Sequence, residues 1–145
     1  MKTVKDCLTQ KQDRTISVSS SDSVRKALEL MKEHRVRAIL VIDSDRLSGI
    51  ISQGDCAIRV LLPGLDSGTT RISDVMTANP ITVKLGDPME YCMGLMASKS
   101  IRHLPVVSGD RVLGVVSIGD VVKEMMSDLS EHVSFLETYI KGHSA

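Results

Sequence analysis

Two short stretches place the same polar pair in the same setting. Residues 49–57 read GIISQGDCA and residues 114–122 read GVVSIGDVV. In each, an aliphatic run ends in a serine (Ser52, Ser117), and an aspartate follows three residues later (Asp55, Asp120), with Gly54 or Gly119 just before it. A hydroxyl and a carboxylate therefore stand at two strand-to-helix corners. Such a pair has two chemical uses. It can cap the helix, because the first N–H groups of a helix lack partners. Alternatively, the carboxylate can accept hydrogen bonds from a bound molecule. Spacing alone does not separate these uses. Glycine beside the acid predicts a tight corner and close approach.

The elements that position these corners repeat. A shift of 65 residues lays Thr15–Ile58 on Pro80–Lys123 without a gap, and 13 of 44 positions are identical. Asp22/Asp87, Arg37/Arg102, Gly49/Gly114, Ser52/Ser117 and Asp55/Asp120 are among them. A leader repeats at a shift of 68, VKDCLT against ISDVMT. Each unit reads β-α-β-β-α. TISV and PITV are entry strands. A helix follows, with Val24, Ala27, Leu28 and Met31, or Met89, Cys92, Met93 and Met96, on one face. Asp87, Pro88 and Glu90 predict an N-cap, a first helical residue and a capping box. Two strands joined by polar turns, DSDR and SGDR, predict hairpins. The next helix starts at Asp55 or Asp120.

The fold class is therefore α+β: two such repeats packed about a pseudo-two-fold, with short terminal helices. The expected boundaries are 1–62 for the first repeat with its leader helix, 63–71 for a connection, 72–127 for the second repeat and 128–145 for an amphipathic C-terminal helix. In that last segment Val133, Leu136 and Ile140 form one stripe, which either packs back on the chain or pairs with another copy.

Composition narrows the function classes. Apolar residues at 42% and charged residues at 25% predict a soluble, core-forming protein. Eighteen basic residues balance 18 acidic ones, which argues against a broad nucleic-acid surface. No apolar run approaches a membrane span and the N-terminus lacks a signal core, so cytoplasmic residence is expected. Cys7, Cys56 and Cys92 have no paired spacing and read as packed thiols. The four histidines have no metal spacing, and neither a phosphate-binding G-x-x-x-x-G-K-[ST] nor a nucleophile–base order is present. An enzyme is not expected.

The doubled G-h-h-S-x-x-D, the RHLPVV of the second hairpin and the order of elements resemble the tandem cystathionine-β-synthase (CBS) domain family, the Bateman module, over about residues 3–127. The resemblance is to stand-alone bacterial pairs. It implies a non-enzymatic regulatory module that binds an adenosine-containing ligand (AMP, ADP, ATP, NAD or S-adenosylmethionine) in clefts between the repeats, and that forms a homodimer. It requires no cofactor and no metal. The alternative is a dimerisation adaptor with degenerate clefts.

The resemblance also implies roles for residues. Asp55 and Asp120 would take the ribose hydroxyls, and Ser52 and Ser117 would face ribose or phosphate. Arg37, Arg102 and His103 would meet phosphate. Thr15, Ile16, Ala38, Ile81, Thr82 and Pro105 would flank the adenine. The chemistry suits a nucleotide, since one carboxylate can accept from two neighbouring hydroxyls at about 1.5–3 kcal/mol each. The repeats differ at Ala38/His103, Ile58/Lys123 and Arg59/Glu124, so the two clefts are expected to be unequal.

Overall fold

Helix starts and turns follow from local chemistry, with one override by tertiary contact. The computed structural model describes residues 2–11 and 15–143. Helix α1 (Val4–Gln10) opens on a reciprocal cap: the Thr3 N–H donates to Asp6 Oδ2 at 2.9 Å, and the Asp6 N–H donates to Thr3 Oγ1 at 3.5 Å. Strand β1 (Ser17–Val18) precedes α2 (Val24–His34), whose Lys26 N–H donates to Ser23 Oγ at 3.2 Å. α2 buries Val24, Ala27 and Met31, the face set by the helical period.

Hairpin strands β2 (Ala38–Asp43) and β3 (Arg46–Ser52) are joined through Ser44 and Asp45 at φ 50 and 64°, a turn matched to the strand twist. Asp43 holds this turn by accepting from Ser48 Oγ at 2.6 Å and Ser19 Oγ at 2.9 Å, bonds that keep its carboxyl well below the usual range. Next come α3 (Gln53–Cys56), continued by a π-helical turn over Ala57–Leu61, then α4 (Ile72–Val75) and β4 (Thr77–Ala78).

The second unit supplies α5 (Met89–Lys99), β5 (His103–Ser108), β6 (Arg111–Ser117) and α6 (Ile118–His143). α5 buries Met89, Cys92 and Met96, again as the period requires. The hairpins share one register, Ala38 opposite Ser52 and His103 opposite Ser117.

Three local expectations are corrected. Asp87 does not cap α5. Its carboxylate accepts from the Lys84 N–H at 2.8 Å, the helix begins after Pro88, and the Met89 N–H donates to the Lys2 carbonyl at 3.0 Å. A backbone from elsewhere in the chain thus satisfies the orphan donor. The second entry strand shrinks to a single bridge, Val83 with Val106, whereas β1 forms a short parallel pair with β2. β4, which the sequence did not predict, pairs with β3 at Gly49 and Ile50. Past residue 127, α6 continues without a break, for 26 residues in all.

The strands follow one path, β1-β2-β3-β6-β5, and the halves join at the pair Arg46–Arg111. These positions are equivalent under the 65-residue repeat, so the pseudo-two-fold passes between them. The leaders are exchanged across it. By chain order α1 falls in the first repeat, yet Val4 and Cys7 lie in the second unit's core beside Val83, Met89 and Leu104. Ile72 and Val75 of α4 lie in the first unit's core beside Val24, Ala27 and Ile51. Equivalent bridges, Thr3 with Pro88 and Ser23 with Arg71, fix the exchange.

Candidate ligand cleft

At the first corner, the Ser52 N–H donates to Asp55 Oδ2 at 3.0 Å and the Asp55 N–H donates to Ser52 Oγ at 3.1 Å. At the second, the same bonds between Ser117 and Asp120 measure 2.8 and 3.2 Å. Both pairs are capping boxes, with serine rather than aspartate as the cap and the acid three residues in. Thr3 and Asp6 make the same box at α1. The capping use is therefore real, and each box engages one carboxylate oxygen, Oδ2. Gly54 and Gly119 do not have a positive φ, and a Cβ on either would meet only its serine Oγ at 3.6 Å. The corner itself does not require glycine.

What distinguishes the corners is their surroundings. Asp55 borders an open cleft of about 610 Å³ between the two units, within the range of small-molecule sites. Ala38, Ser52 and Asp55 come to it from the first unit, and Ile81 and His103 from the second. Arg37 and Arg102, both exposed, stand on its border and supply positive charge. Burial is the main reason that the His103 imidazole is held below its ordinary pKa, and the nearby Lys11 ammonium adds to it. His103 is thus a neutral donor and acceptor. Arg59 lies 4.0 Å from Asp55 Oδ1, but its guanidinium donates to the carbonyls of Val75 and Met76 at 3.0 and 3.2 Å, bracing α4.

The second corner is occupied by its own chain. Lys11 Nζ lies 2.7 Å from Asp120 Oδ2 and donates to the Val115 carbonyl at 2.8 Å. The space around it is divided. Thr15 and Ile16 border a cavity of about 360 Å³ with Lys11 and Val115, and Asp120 borders a separate one of about 560 Å³ with Lys11, Lys123 and Glu124, lined by the leader and α6 rather than by both hairpins. Ser117 and Thr82 border neither the open cleft nor these cavities, and Pro105 is buried within β5, where its carbonyl accepts from the Val83 N–H at 3.0 Å. The structure thus gathers Arg37, Ala38, Ser52, Asp55, Ile81, Arg102 and His103, and leaves Thr15, Ile16, Thr82, Pro105, Ser117 and Asp120 outside that cleft.

Sequence reasoning missed two kinds of residue. Thr77, Asn79 and Ser100 bring polar groups to the open cleft. Asn79 and Ser100 hold left-handed backbone, φ 50 and 55°, which short polar side chains tolerate. Lys11 was missed as well. The 68-residue leader shift places it opposite Asn79, a signal that could have marked the clefts as different there.

Two exchanged β-α-β-β-α units with a cleft between them define a tandem-repeat architecture. The CBS domain family model matches residues 4–61 and 72–127, and the chain belongs to that family. It is 34% identical over 130 residues to the CBS domain-containing protein YhcV of Bacillus subtilis, covering 90% of each. It is 33% identical to the mitochondrial CBS domain-containing protein CBSX3 of Arabidopsis thaliana, covering 86% of this chain and 63% of that one. The CBS domain pair of protein MJ0100, solved in complex with 5'-methylthioadenosine and S-adenosyl-L-methionine, superposes with a TM-score of 0.77 at 26% identity, over 88% of this chain and 98% of that one. Among the described residues no helix is long and apolar enough to cross a membrane, and no cluster of metal-binding side chains occurs.

Proposed function

We propose that this chain is a non-enzymatic regulatory module, working as a homodimer in the cytoplasm, that takes one adenosine-containing ligand per chain in the cleft bordered by Asp55. AMP, ADP, ATP, NAD and S-adenosylmethionine are the candidates. The observation that carries this reading is the contrast between the corners: Asp55 borders open space between the repeats, whereas Asp120 is held by Lys11. Asp55 would receive the ribose hydroxyls on the carboxylate edge that its cap leaves available. Ile81 and Ala38 would flank the base, and Arg37 and Arg102 would meet phosphate or carboxylate. Likeness to the MJ0100 pair, which holds two adenosine compounds, supports the ligand class.

Calorimetric titration with AMP, ATP, NAD and S-adenosylmethionine tests the reading. One of them should bind below millimolar, and Asp55→Ala should weaken it by about 10–100-fold, the loss of one or two charge-assisted bonds. Four flat titrations would end the proposal. A second reading, an adaptor whose clefts are vestigial, draws support from the ion pair that engages Asp120 and from the long exposed end of α6. It predicts those flat titrations.

A further inference from the structure

α6 is far longer than the fold needs. At about 1.5 Å per residue its 26 residues span about 39 Å. Only its beginning is packed: Val121 is buried, Glu124 and Ser127 are half-buried, and every residue from 128 to 141 is exposed. A helical stretch of that length with no tertiary cover is marginal in water. It nevertheless carries a regular apolar line of Val122, Met126, Leu129, Val133, Leu136 and Ile140, all exposed.

The steps in that line are four, three, four, three and four residues. This is the 3.5-residue period of a supercoiled seam rather than the 3.6 of a helix lying on a globular core. Taking Met126, Val133 and Ile140 as a positions makes Val122, Leu129 and Leu136 the d positions. A β-branched residue stands at two of the three a positions and leucine at two of the three d positions, the combination that favours two parallel strands. The far side carries Ser127, Asp128, Glu131, Ser134 and Thr138, with Phe135 the one large apolar residue among them. In a parallel pair His132 at g faces Glu137 at e of the second copy, a donor opposite a carboxylate, and Met125 faces Ser130, so no like charges meet. A membrane surface is the wrong partner, since Asp128, Glu131 and Glu137 outnumber the basic residues of the exposed stretch.

We infer that α6 is one strand of a parallel two-stranded coiled coil formed with α6 of a second copy of this chain. It gives the homodimer of the proposed function its surface, but does not depend on the ligand.

Light scattering on the full chain should give twice the 15.8 kDa chain mass. Leu136→Glu should weaken dimerisation at least 100-fold while thermal unfolding of the body stays unchanged, because Leu136 lies outside both cores. Val133→Cys should form a disulfide-linked dimer on mild oxidation, and Ser134→Cys should not. The native cysteines are buried and give little background. A dimer indifferent to Leu136→Glu, or one without the Val133→Cys cross-link, overturns the seam alone. A monomeric wild-type chain overturns both the seam and the homodimer, and leaves the ligand titrations to judge the cleft.

Discussion

Lys11 decides more than any residue of the repeated motif. Its ammonium lies on Asp120 Oδ2, the oxygen the cap already engages, and offsets the carboxylate charge that would otherwise attract a ligand; both groups are largely sheltered, with 27 and 13% of their side chains exposed. A partly sheltered ion pair resists displacement better than a surface one. Lys11→Met removes the charge and keeps the length, so calorimetry on that variant should count two ligands per chain where the wild type counts one. An unchanged count would mean that Asp120 is not a ligand group even when released. The motif was legible in the sequence because serine, glycine and aspartate recur in register. That the clefts differ was legible too, from Ala38/His103 and Arg59/Glu124; which corner is engaged by its own chain was not, because that depends on one side chain reaching from the leader to a strand end more than a hundred residues away in sequence.

At the scale of elements, the helices and hairpins were readable wherever local chemistry governs: the apolar stripes of α2 and α5 and the polar turns. Expectations failed where a distant backbone supplied the partner. Asp87 yields the start of α5 to the Lys2 carbonyl, and β4 exists because the chain before Asn79 lies along β3. That approach requires Gly49, since a Cβ there would sit 2.6 Å from the Thr77 carbonyl and 2.8 Å from Met76 Sδ. Gly49→Ala should therefore destabilise the chain by about 1–3 kcal/mol in denaturant titration, the usual penalty of overpacking. At Gly54 a Cβ finds only ordinary contact, so Gly54→Ala should stay within about 1 kcal/mol of wild type. Equal effects at the two positions would contradict the close approach of β4.

Taken whole, the molecule is two cores that each borrow a helix from the other half. Neither can close without the other, so calorimetric unfolding should give one transition, with matching calorimetric and van't Hoff enthalpies. Two resolved transitions would show that the borrowed helices contribute little. The pseudo-two-fold was legible from the 65-residue shift. The exchange was not, since leader and unit are adjacent in the chain and nothing in their composition says which core they join.

The same exchange sets an order of events at the ribosome. α1 emerges well before the residues it docks against, from Val83 to Val121. Until then Val4, Cys7 and Leu8 of the nascent polypeptide have no apolar shelter of their own. α1 therefore finds its place only after residues made long after it.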